Sequence, residues 1–509
     1  MTVMVPMLPP VGPPPLVGPA LPRYGEPGWT VWSRRVWPID PVASAPRRVV
    51  VLAVVAGLIG TALWRPSASS VGYLVVGVLF FAVVYGTAEQ RPTRWHWLGM
   101  VLTSALLAVP ALLAAGWLNQ LCVMSAWVVG ACTLMGGRTW TAVFTGPFLP
   151  WALAARIGGW VRRSVPRGAR LPHVGRAAAV AAATVVLALV FGGLFAAADP
   201  AFAHLAGQLV PRVHAADVVA RPVVFAMVSA FVLAGAYLMR FPPRLDAMAP
   251  APMRSLRRWE WAVPLGVLDV LFTAFVAVQF AVLFGGHDHV LQTEGLTYAE
   301  YARQGFWQLL WVSALTLVVL SGVVRLAGRA TAADRALLRA LVGTLCATSV
   351  VVVISAIHRM WLYQQAYGFS VLRLMVITTE VWLGTIFLLV AATGIRMTGR
   401  WIPRAVLVAG VLALLGLAVL NPERLIAERN IDRFEQTGQL DVQYLSGLSS
   451  DIDPVLQRLP ESVRACVKRE EQRDDPWYLF NLSRARADRS APAELPASCD
   501  AYWPYSYYR

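Results

Sequence analysis

The sequence predicts an all-α fold: a polytopic membrane bundle of about eleven spans, followed by a small helical domain. Three observations carry that expectation. The chain is 57% hydrophobic and only 14% charged, with mean hydropathy +0.57, whereas soluble domains carry about a quarter charged residues. Its apolar residues are gathered into uninterrupted runs, and ~20 residues at ~1.5 Å rise cross a ~30 Å hydrocarbon core. After residue 420 the character changes, to 12 basic and 15 acidic residues with no apolar run.

Residues 1–46 are proline-rich (PPVGPPPLVGP) and hold no apolar core of signal-peptide type, so they read as an extended, disordered arm. Apolar spans follow at 49–63, 71–85, 97–115, 121–135, 177–198, 218–239, 261–284, 306–324, 337–357, 372–393 and 405–420. Residues 139–155 (TWTAVFTGPFLPWALAA) are ambiguous, being short and broken by Pro147 and Pro150. Arginine placement decides the matter, because short loops rich in Arg and Lys stay cytoplasmic. If 139–155 does not cross, the loops divide 26 arginines against 6; if it does, they divide 13 against 19 and the bias vanishes. Residues 139–155 are therefore expected to be re-entrant or interfacial. The N-terminus is expected in the cytoplasm, and the tail (421–509) outside the inner (cytoplasmic) membrane.

In the tail, Asn421-Pro422-Glu423 is a helix start: a capping residue, proline in the first turn, and an acid beside it. Gly438 closes that helix. Ser449, Asp451 and Asp453 before Pro454 read as another start, and 461–473 and 477–489 as further helices. Cys466 and Cys499 are the tail's two cysteines. In an oxidising compartment they are a candidate disulfide, with two unpaired small residues as the alternative.

Ionisable groups within spans are costly and face a partner or a water-filled cavity. Asp269 and Glu380 lie at such depth and are the candidate binding residues, read as a proton- or cation-handling carboxylate pair or as carboxylates along a solute path. Arg373, two turns from Glu380, is a candidate counter-charge. The blander reading of each carboxyl is a structural one, bonded to a neighbouring helix. His287 and His289, with Asp288 and Glu294, form a weak candidate for a transition metal; a solvated loop fits them better, and no cofactor is expected. Thr297 and Glu300 read as a capping box before the span at 306–324. Asp199-Pro200 reads as a helix stop. Phosphate-loop, HExxH, GxSxG and dinucleotide motifs are absent from the sequence, which argues against an ATP-driven pump, a membrane protease or another familiar enzyme. The basic charge is spread as topology determinants, not gathered into one patch, so no nucleic-acid partner is expected.

Four stretches, FAAADPAFA (195–203), GLTYAEYARQGFWQL (295–309), HRMWLYQQAYGFSVLRL (358–374) and LDVQYLSGLSSDIDPVL (440–456), resemble a bacterial multi-pass membrane family. It is catalogued as a domain of unknown function, four-one-seven-three type, with the four-one-five-three type as its relative. The likeness covers about 177–459 and implies a helical bundle with a short helical tail, and no assigned activity. The residues then favour a carrier- or permease-like protein for an unidentified solute or ion. The competing class is a non-transporting envelope sensor or assembly factor that acts on a protein partner through its tail and outer loops. A lipid- or polyprenol-using enzyme is a third, without an acid/base constellation to support it.

Overall fold

The computed structural model describes residues 43–164 apart from 67, scattered positions between 180 and 199, 215–248, 256–284, 306–396, 399, 401–467, 475–487 and 499. The proline arm up to residue 42, the span at 177–198 as a whole, and the loop carrying His287, His289, Thr297 and Glu300 lie outside the described residues.

The described chain is helical, with one isolated bridge between Leu256 and Ala327 and no strand. Its first helices are α1 (Arg47–Leu63), α2 (Gly72–Gly86), α3 (Arg94–Leu112) and α4 (Gly116–Met135). Short helices α5 (Trp140–Thr145), α6 (Leu149–Ala152) and α7 (Ala154–Ser164) come next. Then follow α8 (Ala215–Arg240), α9 (Arg258–Phe284), α10 (Phe306–Leu326), α11 (Ala332–Tyr367), α12 (Val371–Arg396) and α13 (Ile402–Leu420). Among the described residues eight helices, α3, α4 and α8 to α13, are long and apolar enough to cross a membrane, and α2 is a shorter apolar helix.

These helices form two bundles. In the first, α1 packs on α8 through small residues: Ala53, Ala56, Gly57 and Gly60 are buried along one stripe. A β-carbon on Gly57 would stand 2.2 Å from Ser229 Oγ, and Ser229 donates to the Ala53 carbonyl at 3.1 Å. Lipid gives helices little hydrophobic reason to associate, so such close backbone approach supplies the contact. In the second bundle α9, α10 and α12 surround α11, around Leu265, Leu320, Leu345 and Phe387. Thr331 and Asp334 form the capping box that starts α11, and Arg258 Nε reaches Asp334 at 2.5 Å. α13 joins the bundles, packing on α3 and α4 of the first and on α12 of the second.

Residues 139–155 fold as α5, a single 3-10 turn over Gly146–Phe148, and α6. Both ends of this stretch lie at one face of the bundle. Asp246 accepts the backbone N–H groups of Arg138 (2.9 Å) and Thr139 (3.1 Å). Just beyond, the Trp160 carbonyl accepts Ala45 N–H at 3.2 Å, and the Trp160 ring meets Tyr237, near the end of α8 that carries Arg240. The chain leaves that face and returns to it.

The tail sits at the other end of the bundle. It begins with α14 (Pro422–Thr437), capped by Asn421 and closed by Gly438 in the left-handed conformation at φ 70°. It continues through α15 (Val442–Ser446), a Ser449-capped 3-10 turn, α16 (Asp453–Leu456), α17 (Glu461–Arg464) and α18 (Leu482–Arg486). Ile426, Ile431, Leu445, Ile452 and Val463 form its core. The expected helices at 461–473 and 477–489 are corrected to shorter ones. α17 ends at Arg464, and 468–474 lie outside the described residues. A 3-10 turn over Trp477–Leu479 stops at Phe480, whose extended backbone presents its carbonyl to Val71 N–H at 3.0 Å; Asn481 then caps a new helix. A contact with the membrane bundle breaks what local sequence would have continued.

Candidate functional site

Asp269 lies on α9 and Glu380 on α12, 6% and 1% exposed, and among the described residues neither carboxyl has a hydrogen-bond partner. Both helices are apolar nearly all round, so no sequence pattern marks which face is buried.

The two carboxyls do not form a pair. Arg258 and Gln279, on either side of Asp269 in α9, reach Asp334 and Ser355 of α11, so Asp269 stands level with Leu345 and Cys346 of α11. Glu380 lies one turn before Gly384, where a β-carbon would stand 3.2 Å from Val353 Cγ1 of α11. α11 and α12 run antiparallel through the turn at Gly368, so Glu380 lies level with a point one turn beyond Val353. The two carboxyls are therefore about ten residues apart along α11, roughly 15 Å by helical rise.

Arg373 is not brought to Glu380, which corrects the counter-charge expectation. Its guanidinium lies 4.3 Å from the Tyr363 ring centroid and donates to the Gly368 carbonyl. At the start of α12 its side chain turns back toward the helix entry, where a free carbonyl and an aromatic face hold it; Glu380 is two turns further in.

A polar set that the sequence reading passed over lies between α9 and α11. Gln279 Oε1 accepts from Ser355 Oγ at 2.9 Å and from Arg359 Nη2 at 3.0 Å. Gln279 and Ser355 are buried. The available signal was a glutamine inside an apolar run, together with Ser355 and Arg359 one helical turn apart.

The tail forms the other concentration of polar contacts. Asp451, 2% exposed, accepts the backbone N–H groups of Ala114 (3.0 Å) and Ala115 (2.9 Å) at the start of α4, and the Ser483 hydroxyl. Glu423 accepts from Trp117 Nε1 at 2.9 Å and from Ser449 N–H at 2.6 Å. Asn481 Nδ2 donates to the Pro110 and Leu113 carbonyls, and Arg484 Nη1 to the Ser69 carbonyl. These contacts tie the tail to the first bundle. Asn430 bonds both the N–H (2.9 Å) and the carbonyl (3.0 Å) of Phe369, and Tyr444 Oη accepts Val371 N–H at 2.9 Å, at the turn between α11 and α12 of the second bundle. Burial pushes the Tyr444 hydroxyl pKa up from its ordinary value. Arg458 donates to Asp432 and Glu435 on the tail's surface, which holds its charge more firmly.

Cys466 and Cys499 are joined in a disulfide, with Cα atoms 5.3 Å apart. Cys122, Cys132 and Cys346 are buried thiols. The candidate metal residues His287 and His289 lie outside the described residues. Among the described residues no group of three or more His, Cys, Asp or Glu side chains could hold a metal ion.

A family model described as a domain of unknown function, DUF4153, matches residues 101–459. The match reaches back over α3 and α4, which the four motifs did not cover, and it ends within the tail, before Cys466. The matching type is four-one-five-three, which the motif reading names only as the relative of the four-one-seven-three type. No curated protein and no solved structure matches the chain.

Proposed function

Because the chain belongs to the family of the domain of unknown function DUF4153, we propose a role from its residues: a carrier- or permease-like membrane protein, not an enzyme, whose intramembrane carboxyls Asp269 and Glu380 handle a proton or small cation. The observation that carries this reading is their burial without a hydrogen-bond partner among the described residues. A carboxylate buried alone costs several kcal/mol, so a carboxyl in that setting takes up a proton or a cation. Two such groups about 15 Å apart along one helix are two stations, not one shared site. The Gln279–Ser355–Arg359 set, nearer the tail than Asp269, adds polar groups on the path from that side.

The proposed orientation follows from charge. The tail lies at the end of the bundle opposite the arginine-bearing ends that carry Arg138, Arg240, Arg258 and Arg404. Positive loops stay in the cytoplasm, which puts the tail outside a bacterial inner membrane and the N-terminus within. The two-bundle layout suits alternating access by one bundle rocking against the other.

The test is proton, sodium and potassium flux into vesicles holding the purified protein, read with ion-sensitive dyes under an imposed gradient. Flux that the double variant Asp269→Asn with Glu380→Gln abolishes, with elution profile unchanged, is the expected result. Absence of flux in the wild type, or equal flux in the variant, removes the carrier reading. The second reading, an envelope sensor or assembly factor, is favoured by exposed Trp477 on the tail; a crosslinked protein partner at that residue in cells lacking flux would support it.

A further inference from the structure

We infer that the first bundle holds the hydrocarbon chain of a membrane lipid, taken in sideways between α4 and α8 past Trp127. Two apolar spaces meet at that residue. The outer one is a groove of about 810 Å³ between α4, α12 and α13, lined by Met124, Phe148, Trp382, Gly410 and Leu414 among others. The inner one is a partly open slot of about 180 Å³ among α2, α3, α4 and α8, lined by Phe80, Leu107, Gly130, Gly235 and Leu238 among others. Val123 and Trp127 border both and form the wall between them.

The wall is a door by its packing. α4 packs closely along α3 and only sparsely against α8. The sparse contact is bridged by the Trp127 ring against Phe231, centroids 4.8 Å apart. A rotamer change of two half-buried rings would join groove and slot without moving a helix.

The occupant follows from the shape and the surroundings. α4 lines the slot from Val123 to Leu134, eleven residues or about 16 Å by helical rise, so the slot is long and narrow and runs along the spans. The long helices that line the groove, α4, α12 and α13, are all candidate spans, so the groove opens where hydrocarbon is the solvent. A slot of this size with apolar walls stays dry and takes apolar guests. Two polar atoms of its lining, Trp64 Nε1 and Thr103 Oγ1, have no hydrogen-bond partner among the described residues, and Thr103 Oγ1 lies 3.8 Å from where a β-carbon on Gly130 would be. The inference stands apart from the transport reading, since the slot borders neither Asp269 nor Glu380.

The test uses the full chain in vesicles of phosphatidylethanolamine and phosphatidylglycerol, with a trace of phospholipid bearing a diazirine at its chain end. After illumination, label is expected on α4 around Val123 to Gly130 and on α8 around Phe231, in excess over the outward residues Val54 and Val318. Gly130→Leu fills the slot with no backbone in its way and is expected to remove that label. Gly266→Leu, with open space at its β-carbon, is expected to keep it. Label spread evenly over outward positions in the wild type overturns the inference, as does label at Gly130 that survives the filling variant. A wild-type slot closed by another part of this chain, so that no label reaches α4 from within, overturns it too.

Discussion

Asp451 caps a helix whose capping position lies 336 residues before it in the chain, its carboxylate accepting Ala115 N–H at 2.9 Å. α4 has no capping side chain of its own, because Ala115 occupies the capping position. The first N–H groups of a helix need acceptors, and an acid there also meets the positive end of the helix dipole. Asp451→Ala leaves those donors buried and unpaired, and is expected to destabilise the folded chain by about 2 kcal/mol. A lowered midpoint in thermal unfolding, with faster proteolysis between α14 and α18, checks it; an unchanged midpoint means the cap is idle.

The spacing of the two intramembrane carboxyls has its own consequence. Groups more than ~7–10 Å apart that share no partner affect stability additively, within about 0.5 kcal/mol. Asp269→Asn and Glu380→Gln are therefore expected to sum in the double variant. A larger coupling in a double-mutant cycle of unfolding free energies would place the carboxyls in contact.

Gly57 permits the close approach of α1 to α8. Gly57→Val drives a side chain into Ser229 and Phe225, an overpacking expected to cost about 1–3 kcal/mol. Gly343→Val, where nothing stands within 4 Å, is the control and is expected to change little. Equal melting temperatures for the two variants would contradict the packing described.

The disulfide closes a loop of sequence separation 33 in the tail. A cross-link over that length is worth about 3–4 kcal/mol in the chain-entropy account. Cys466→Ala with Cys499→Ala is expected to make the tail protease-sensitive at temperatures where α8 to α13 stay intact. Non-reducing peptide mapping should recover the two cysteines in one linked species, and two free thiols would contradict the bond.

Tyr444 carries a pH dependence. Burial raises its folded-state pKa above the ordinary value of 10.0, so the neutral form is the one that docks on Val371. Its contribution is fully present below pH ~10 and is lost as pH rises through the raised value. In a spectroscopic titration Tyr444→Phe is expected to remove a tyrosine that ionises later than the exposed ones. A late-ionising signal that persists in the variant belongs to another residue.

The sequence by itself determined that this is a helical membrane protein with a separate helical tail. Run length against bilayer thickness, and local caps such as Asn421 before Pro422 and Gly438 after α14, are properties of neighbouring residues. Pro147 and Pro150 likewise showed that 139–155 would be broken. Only the tertiary structure decided that Asp269 and Glu380 stand at different levels, that Arg373 turns to Tyr363, and that Phe480 interrupts a tail helix to meet Val71. Membrane helices that are apolar all round carry no stripe to reveal their rotation, so which side chains face inward is set by packing against helices distant in the chain. Asp451 and Ala115 meet for that reason, and no local pattern could have paired them.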